Sequence, residues 1–219
     1  MTIANNTHKF QKSEQSLLRK HFLAIRNAIA HTETLAKSQI IQQKAVEYFL
    51  WNQIGAGQKL SGQKLSGQKT VSLYFAINNE VFTSAIAKFC LDNKIYLCYP
   101  KILKKDSPLI FVEQNDLTEL ETSKIHNKII EPALRLESNI LEPNIIFVPL
   151  VAFDKYCNRL GMGGGFYDRT IADFKKRGID FISIGLAFEN QRVTENIATT
   201  EFDQKLDFII TETNIYRKS

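Results

Sequence analysis

Cysteine is scarce in this chain, which has three in 219 residues, at positions 90, 98 and 157. An odd number without paired spacing fits neither a disulfide framework nor a cysteine-rich zinc site. Long apolar runs are also missing, because the longest, residues 145–153, is too short to cross a bilayer and contains Pro149. The first ten residues lack the apolar core of a signal peptide. These absences predict a cytoplasmic protein without a membrane partner.

Clusters of basic residues are absent as well, although the formal net charge is +5. The lysines and arginines are scattered, with only short groups such as 104–105 and 175–177. A nucleic-acid-binding surface would gather them on one face, often beside aromatic residues. We therefore expect no nucleic-acid partner, and interpret the charge as attraction for small anions or as an unspecific surface excess. A binding module for anionic ligands or RNA is the alternative that the charge leaves open.

The hydrophobic pattern is helical in the first fifty residues and changes to strands after residue 70. Residues 1–12 predict a polar, frayed lead, and the apolar spacing predicts helices from Ser13 and over 34–51. Further on, the pattern predicts strands at 70–77, 95–99, 109–113, 145–153, 181–188 and 206–211, a turn at 78–79, helices at 80–93 and 166–178, and irregular structure at 114–143. This alternation predicts a single α/β domain over 1–219, with an open, mostly parallel sheet and helices on both faces. The most apolar strand, 145–153, is expected at the centre.

A short internal repeat separates the two patterns. Residues 57–61 read GQKLS, the same letters return at 62–66, and a third copy begins at 67–69. One apolar residue in five cannot build a buried face, so the sequence predicts a flexible surface loop over 55–69.

Glycine is concentrated in one place, since four of the ten glycines fall within residues 161–165. A chain without Cβ atoms can turn sharply, and the free N–H groups at the start of the following helix favour an anion. The loop therefore predicts a phosphate cradle, with a tight connection that binds no ligand as the alternative. Ligands of parallel sheets bind beyond the carboxyl ends of the strands, and both this loop and Glu80 follow a predicted strand.

Two common phosphate motifs are missing from the chain. The absence of G-x-x-x-x-G-K-[S/T] excludes a Walker P-loop. The dinucleotide fingerprint G-x-G-x-x-G fails at its third glycine, which is replaced by Phe166, and residues 154–160 separate the strand from the loop. A nicotinamide enzyme with Glu189 as its ribose ligand is therefore only a secondary alternative.

Charged residues flank the glycine loop, with an arginine before it and an aspartate after it. Arg159 precedes it and can hold phosphate oxygens with two N–H groups. Asp168 follows it, and a carboxylate beside phosphate indicates Mg²⁺ between them, or else a first-turn carboxylate that complements the helix dipole. Asp203 and Asp207 are further candidates. Glu80 likewise has two interpretations, because it could bind a ligand or stand as a first-turn carboxylate of the helix predicted at 80–93.

Residues 149–169 read PLVAFDKYCNRLGMGGGFYDR and closely resemble the signature of the 5-formyltetrahydrofolate cyclo-ligase family, also called methenyltetrahydrofolate synthetase. The resemblance extends through most of the chain, with NNEVFT at 78–83, KIH and IEP around 124–132, and IGLAFENQ, FDQKLD and IITE towards the end. The chain departs from the family pattern at Gln15, where lysine is frequent and Lys12 lies one turn earlier, and at Gly164, where some members have lysine. The repeat is a third departure.

The resemblance implies a ligase of one-carbon metabolism that uses ATP and Mg²⁺ to convert 5-formyltetrahydrofolate, with or without a polyglutamate tail, into 5,10-methenyltetrahydrofolate, ADP and phosphate. It implies catalytic roles for Glu80, Arg159 and Tyr167 and Mg²⁺ binding by Asp168 and Asp203. For ATP it implies Arg19, Arg159, Leu160, Gly161, Met162, Gly163, Gly164, Gly165, Phe166 and Tyr167. For the folate it implies Phe75, Glu80, Met162, Gly163, Gly164, Gly165 and Phe166. We also expect a monomer.

The implied reaction needs positioning and charge stabilisation more than a side-chain nucleophile. The formyl oxygen leaves readily only after it has received the γ-phosphoryl group, and N10 of the folate then closes the ring. The chain agrees with this, because its four histidines are dispersed and form no Ser-His-Asp or Cys-His pattern. A sugar-phosphate isomerase or transferase, which would bind its ligand at the same loop without ATP, is the alternative from another enzyme class.

Overall fold

The computed structural model describes the backbone of residues 2–50, 69–114 and 119–219, and the side chains from residue 13 onward in the same ranges. Its helices are α1 (Thr2–Asn27), α2 (His31–Ala45), α3 (Ser84–Asp92) and α4 (Phe166–Arg177). A π-helical turn, Val46–Leu50, continues α2. The predicted repeat loop at 55–69 lies outside the described residues, apart from Lys69. No described helix combines the length and the apolar character that crossing a membrane requires.

The strands are β1 (Thr70–Ser72), β2 (Tyr96–Lys101), β3 (Ile110–Glu113), β4 (Leu120–Thr122), β5 (Ile130–Pro132), β6 (Ile140–Leu141), β7 (Ile145–Pro149), β8 (Ala152–Phe153), β9 (Arg159–Leu160), β10 (Ile182–Leu186), β11 (Phe208–Ile210) and β12 (Ile215–Arg217). Eight of them form one sheet in the order β12-β11-β10-β7-β1-β2-β3-β6. The five strands from β11 to β2 are parallel, and antiparallel strands complete both edges. The predicted open, mostly parallel α/β sheet is therefore confirmed.

Strand β7 lies in the interior of the sheet, as its apolar sequence predicts. Successive side chains of a strand point to opposite faces. Ile145 and Phe147 pack in the core beneath α2 and α3, whereas Ile146 and Val148 pack in the core beneath α4. Helices thus cover both faces of the sheet, and all four of these β7 side chains are buried. Burial of each contributes about 1.5–3 kcal/mol.

The N-terminal helix is longer than its hydrophobic pattern predicts. The backbone is helical from Thr2, whereas the hydrophobic pattern predicts a polar, frayed lead over 1–12. A helix that is already nucleated can extend through polar residues, because each added residue contributes a backbone hydrogen bond. The second helix begins at His31 rather than at residue 34.

The predicted strand 70–77 and helix 80–93 are both shorter in the structure. Strand β1 ends at Ser72, because its continuation would need a backbone donor from Pro100 of β2, and proline has none. The segment 73–83 then leaves the sheet and is held by the Thr83 hydroxyl, which donates to the Tyr74 carbonyl at 2.9 Å. Helix α3 consequently begins only at Ser84.

Two prolines change the ends of other strands relative to the prediction. Strand β2 continues through Pro100, because that residue pairs with Phe111 of β3 at a point where β1 has already ended. The predicted strand 145–153 is divided after Pro149 into β7 and β8. The segment 114–143, predicted as irregular, contains β4, β5 and β6, and the antiparallel edge strand β12 was not predicted. These short strands have little periodicity for a sequence pattern to detect.

Candidate active site

A cavity of about 420 Å³ opens at the carboxyl ends of β1, β2 and β7. Its wall includes every residue that the family resemblance implies for ATP, folate or Mg²⁺, namely Arg19, Phe75, Glu80, Arg159, Leu160, Gly161, Met162, Gly163, Gly164, Gly165, Phe166, Tyr167, Asp168 and Asp203. These residues come from α1, from the segment after β1, from β9, from the glycine loop and α4, and from the segment before β11. The fold thus brings together side chains that are far apart in sequence, while their individual roles remain predictions.

The glycine loop follows a β-hairpin rather than a single strand. Strands β8 and β9 pair with each other, and Asp154 fixes the turn between them. The buried Asp154 carboxylate accepts hydrogen bonds from the backbone N–H of Tyr156 at 2.9 Å and of Asn158 at 3.0 Å. This hairpin explains why residues 154–160 separate strand from loop. It also distinguishes the site from a dinucleotide-binding turn, in which strand and helix connect directly.

Within the loop, two glycines have backbone conformations that other residues adopt rarely. Gly163 has φ +94° and Gly165, the N-cap of α4, has φ +66°. The Arg19 guanidinium lies against the loop, with its Nε donating to the Gly161 carbonyl at 2.7 Å. A Cβ on Gly163 would lie 3.6 Å from Arg19 Cζ. Helix α1 therefore contacts the loop through one cationic side chain.

Arg159 and Asp168 form an ion pair across the loop. Arg159 Nη2 lies 2.9 Å from Asp168 Oδ1, and Arg159 Nη1 donates to the Gln204 carbonyl at 2.6 Å. Asp168 Oδ1 also accepts the backbone N–H of Gln204 at 3.0 Å. Asp168 thus links α4 to the segment before β11, in addition to standing in the first turn of the helix.

The two other aspartate candidates differ in their surroundings. Asp203 lines the cavity, and its Oδ2 accepts hydrogen bonds from the N–H and the hydroxyl of Thr200, at 2.7 and 3.0 Å. Asp207 instead binds the N–H and the hydroxyl of Ser183 at 2.9 and 2.7 Å, which ties β11 to β10. Asp207 therefore has a structural role, and Asp203 is the aspartate of this segment that reaches the cavity.

Glu80 lines the cavity together with the segment that follows β1, which we call the Glu80 end, and it is 6% exposed. Its Oε2 accepts the Ile77 N–H at 3.1 Å, across a turn in which Asn78 and Asn79 have φ values of 49° and 57°. Burial raises the pKa of Glu80 to about 7, although the Arg26 guanidinium, 3.6 Å from Oε1, acts in the opposite direction. Because α3 begins only at Ser84, the alternative that Glu80 is a helix-start carboxylate is wrong.

Aromatic side chains contribute to this part of the site, and two of them, Tyr74 and Tyr167, interact electrostatically with Glu80. Phe75 is stacked on Tyr99 with ring centroids 4.3 Å apart, and the Tyr74 hydroxyl donates to the Val81 carbonyl at 2.9 Å. Within the described ranges, the buried Tyr167 hydroxyl has no hydrogen-bond partner. Burial, with a smaller contribution from the charge of Glu80, raises the pKa of Tyr167, so its phenol is a neutral donor.

Sequence reasoning missed much of the apolar wall. Nine further lining residues were not singled out: Tyr74, Ile77, Pro100, Ile102, Leu109, Ile129, Ile130, Pro149 and Leu150. Ile129 and Ile130 belong to the β4–β5 ribbon, which Lys101 holds through Glu121 at 2.7 Å and Glu131 at 3.1 Å. Strands this short carry no periodic signal. Arg26 was also missed as a neighbour of Glu80, although its position seven residues after Arg19 places both on one helical face.

Comparison with known proteins agrees with this architecture. A model of the 5-formyltetrahydrofolate cyclo-ligase family matches residues 11–212. The 5-formyltetrahydrofolate cyclo-ligase of Haemophilus influenzae is 40% identical over 141 residues, which cover 62% of this chain and 72% of that protein. The protein of the same name from Mycoplasma pneumoniae is 29% identical over 203 residues, 91% and 99% of the two chains.

Solved structures show the same fold. The 5,10-methenyltetrahydrofolate synthetase of Mycoplasma pneumoniae superposes with a TM-score of 0.66 at 28% identity, over 90% of this chain and 98% of that one. The synthetase of Aquifex aeolicus, at 24% identity, gives a TM-score of 0.71 over 93% and 92% of the chains and supports the fold alone. The family match covers nearly the whole chain, which therefore belongs to the 5-formyltetrahydrofolate cyclo-ligase family of enzymes.

Proposed function

We propose that this enzyme converts 5-formyltetrahydrofolate and ATP into 5,10-methenyltetrahydrofolate, ADP and phosphate, with Mg²⁺ at the nucleotide. The observation that carries the proposal is the single cavity on which the predicted nucleotide, folate and metal residues all border. A phosphoryl transfer needs donor and acceptor side by side and in line, so one shared cavity suits it.

The glycine-loop end of the cavity suits the polyphosphate. The loop leads into α4, a helix of 12 residues, whose first N–H groups and dipole favour negative charge. Arg19 and Arg159 add two guanidinium groups on either side of the loop. No lysine occurs within the loop, so these arginines carry the positive charge that some family members supply at position 164.

The carboxylates of this end fit a magnesium ion that shares its ligands with phosphate. In the described ranges, Asp168 Oδ2 and Asp203 Oδ1 accept no hydrogen bond and remain available as ligands. No group of three acidic, histidine or cysteine side chains gathers as a metal site within those ranges. This agrees with Mg²⁺, which is commonly held by one or two carboxylates together with water and substrate phosphates. When bound, the ion would neutralise charge on the transferring phosphoryl group.

The Glu80 end suits the pterin ring of the folate. Phe75, stacked on Tyr99, and the apolar wall offer surface to a flat heterocycle. The Glu80 carboxylate can accept hydrogen bonds from ring N–H groups. The Tyr167 hydroxyl, which has no partner in the described part of the chain, can donate one to a ring or formyl oxygen. The formyl group would then point towards the loop, where the γ-phosphate would lie in this proposal.

The proposed reaction has two bond-forming steps. The formyl oxygen attacks the γ-phosphorus, and the bond from that phosphorus to the bridging oxygen breaks, which releases ADP. N10 then attacks the formyl carbon and loses its proton. The carbon–oxygen bond breaks, phosphate leaves with the former formyl oxygen, and the remaining positive charge is shared by N5 and N10.

This chemistry requires no covalent intermediate on the protein, and the cysteines agree with that. All three are buried, and burial raises the pKa of Cys90 and Cys157 to about 12 and raises that of Cys98. Thiols with such pKa values are poor nucleophiles near neutral pH. The enzyme would act mainly by orienting the two substrates and stabilising charge.

The test is an absorbance assay for the methenyl product with 5-formyltetrahydrofolate, ATP and Mg²⁺. We expect one ADP and one phosphate for each product molecule, and no product when ATP is omitted. Substrate labelled with ¹⁸O in the formyl group should yield labelled phosphate. A wild-type enzyme that forms no product would refute the activity, and label appearing in water instead of phosphate would refute the phosphoryl-transfer route.

Arg159→Met and Arg177→Met form a matched pair for this assay. Both arginines form ion pairs, but Arg177 lies at the far end of α4 and is 44% exposed. We expect the Arg159 variant to raise the KM for ATP and the Arg177 variant to retain wild-type kinetics. An unchanged ATP dependence of Arg159→Met would contradict its assigned role.

A further inference from the structure

Arg26, on α1, is a charged side chain in an unusually buried position, 1% exposed. Its Nη1 donates to the Leu150 carbonyl at 3.0 Å and lies 3.6 Å from Glu80 Oε1. Its Nε and Nη2 are buried without a hydrogen-bond partner in the part of the chain that the structure describes. Burying a guanidinium with unpaired nitrogens opposes folding, and apolar residues usually serve a purely structural position as well or better. The position of Arg26 therefore calls for another reason.

The Glu80 carboxylate beside Arg26 explains why an arginine is present at this buried position. Glu80 lines the cavity, whereas Arg26 lies behind Glu80 and does not border the cavity. Arg26 thus acts on a ligand through Glu80 and not by contact. The nitrogen that faces Glu80, Nη1, also donates to the Leu150 carbonyl just after β7, and this hydrogen bond fixes the guanidinium beside the carboxylate.

We propose that Arg26 is a positioning residue that holds Glu80 as an oriented carboxylate for the N–H groups of the pterin ring. The proposal rests on the proposed function, because it takes the folate as the ligand of the Glu80 end. Arg26 has no part in binding ATP in this assignment, although it shares a helical face with Arg19.

The charges around Glu80 favour this role. The groups that face the carboxyl are Arg26 from α1, Tyr74 from the segment after β1 and Tyr167 from α4. Burial raises the pKa values of both phenols, so they are neutral, and Arg26 is the cation among these described neighbours. Burial by itself would leave Glu80 protonated near neutral pH, and Arg26 opposes that shift.

Loss of the Arg26 charge should therefore weaken folate recognition in a pH-dependent way. Without the cation, the pKa of Glu80 would rise above its present value of about 7. A protonated Glu80 presents an O–H donor to the ring N–H donors and loses acceptor capacity. Affinity for the folate should then fall as pH decreases through this higher pKa, and recover at alkaline pH.

The experiment compares the wild type with Arg26→Met and Arg26→Lys. The readouts are kcat/KM for 5-formyltetrahydrofolate and, without ATP, the folate Kd, each measured over a range of pH. We expect Arg26→Met to move the acidic midpoint of both profiles up by about 1–3 pH units, as loss of an adjacent opposite charge does. The KM for ATP should stay within about twofold, and Arg26→Lys should restore the wild-type midpoint. An unmoved midpoint in Arg26→Met, or equal losses for ATP and folate, would overturn the proposal.

A Glu80→Gln background gives the decisive control. If Arg26 acts through Glu80, adding Arg26→Met to Glu80→Gln should produce no further pH shift, and a shift as large as in the single variant would contradict it. Should Arg26→Met fail to fold, Arg26→Gln removes the charge with a polar side chain and gives the same comparison. A wild type that binds the folate without forming product would refute the proposed function, while its binding profile would still test Arg26.

Discussion

The two ends of the cavity differ in how their charged side chains are paired and buried. At the glycine-loop end, Arg19 and Arg159 donate to backbone carbonyls, and Arg159 pairs with Asp168 at 2.9 Å. At the Glu80 end, a carboxylate and a guanidinium lie 3.6 Å apart, both buried, and two guanidinium nitrogens have no hydrogen-bond partner among the described residues. At the glycine-loop end, the arginines can exchange their contacts within the protein for contacts with an incoming ligand. At the Glu80 end, the buried Arg26 charge lowers the stability of the fold even before a ligand binds.

This difference matches the two proposed ligands. ATP with Mg²⁺ carries its own charges, so the protein needs only complementary groups that can rearrange near the surface. A pterin ring is uncharged, and its recognition depends on one well-placed acceptor among apolar walls. Helix α1 serves both ends, because Arg19 touches the loop and Arg26 touches Glu80.

Asp168→Asn should produce the largest effect and should confine it to the glycine-loop end. The amide retains an acceptor for the Gln204 N–H but removes the charge that would hold Mg²⁺. We expect kcat/KM for ATP with Mg²⁺ to fall by about 100-fold or more, with a thermal midpoint close to wild type. Asp173→Asn, on the same helix and outside the cavity, is the control and should retain activity. A lowered midpoint with normal turnover would make Asp168 purely structural.

Glu80→Gln should show the opposite behaviour at the other end, losing folate turnover while gaining stability. The folded-state pKa of about 7 exceeds the ordinary value of 4.5. Stability therefore falls as pH rises from about 4.5 to about 7, and the full penalty persists above the folded-state pKa. Gln removes that penalty. We expect a gain of about 1–3 kcal/mol near pH 8 and little change near pH 5, measured by urea unfolding.

Glu131→Gln is the matched control for this measurement, because Glu131 is also buried and paired. Its carboxylate accepts Lys101 Nζ at 3.1 Å and the Ile102 N–H at 3.2 Å, so both of its oxygens are used. An amide cannot accept at both positions, and we expect a loss of about 1–3 kcal/mol at either pH. If Glu80→Gln also lost stability near pH 8, the claimed contrast between these buried carboxylates would be wrong.

The sequence predicted the glycine-loop end better than the Glu80 end, for a physical reason. The loop, Arg159 and Asp168 lie within ten residues of one another, so their order alone indicates a phosphate site. The Glu80 end is assembled from α1, the segment after β1 and α4, and nothing local couples Arg26 to Glu80. Glu80 was attributed to the folate through the family resemblance, whereas the local pattern placed it in a helix that begins only at Ser84.

Whether a feature of the fold could be predicted also depends on how far apart its residues lie in the sequence. The α/β class and the central strand were predictable, because apolar runs and helical spacing are local properties. The ends of β1 and β2 were not, since they depend on which partner strand faces Pro100. The β4–β5 ribbon was missed because Lys101, an otherwise unremarkable basic residue, fixes it through two glutamates.

Arg19→Met should have a smaller effect than Asp168→Asn and should distinguish the two arginines of α1. Arg19 is partly exposed and contributes one hydrogen bond to Gly161 together with its charge. We expect the KM for ATP to rise about tenfold, with the folate KM and its pH profile unchanged. Lys20→Met, at an exposed neighbouring position, is the control. A shifted folate profile in Arg19→Met would show that the two ends are not separable.

The smallest effect concerns the backbone of the loop, and it compares Gly163→Ala with Gly161→Ala. Gly163 has φ +94°, where an L side chain is strained, so alanine should reduce the free energy of unfolding by about 1 kcal/mol or more. Gly161 has no positive φ, and no atom of the described residues lies within 4 Å of an added Cβ, so its variant should stay within about 0.5 kcal/mol of wild type. Urea unfolding of both variants measures the difference. Equal stabilities would mean that the loop adjusts its backbone freely, and that its glycines serve the approach of phosphate more than the folded conformation.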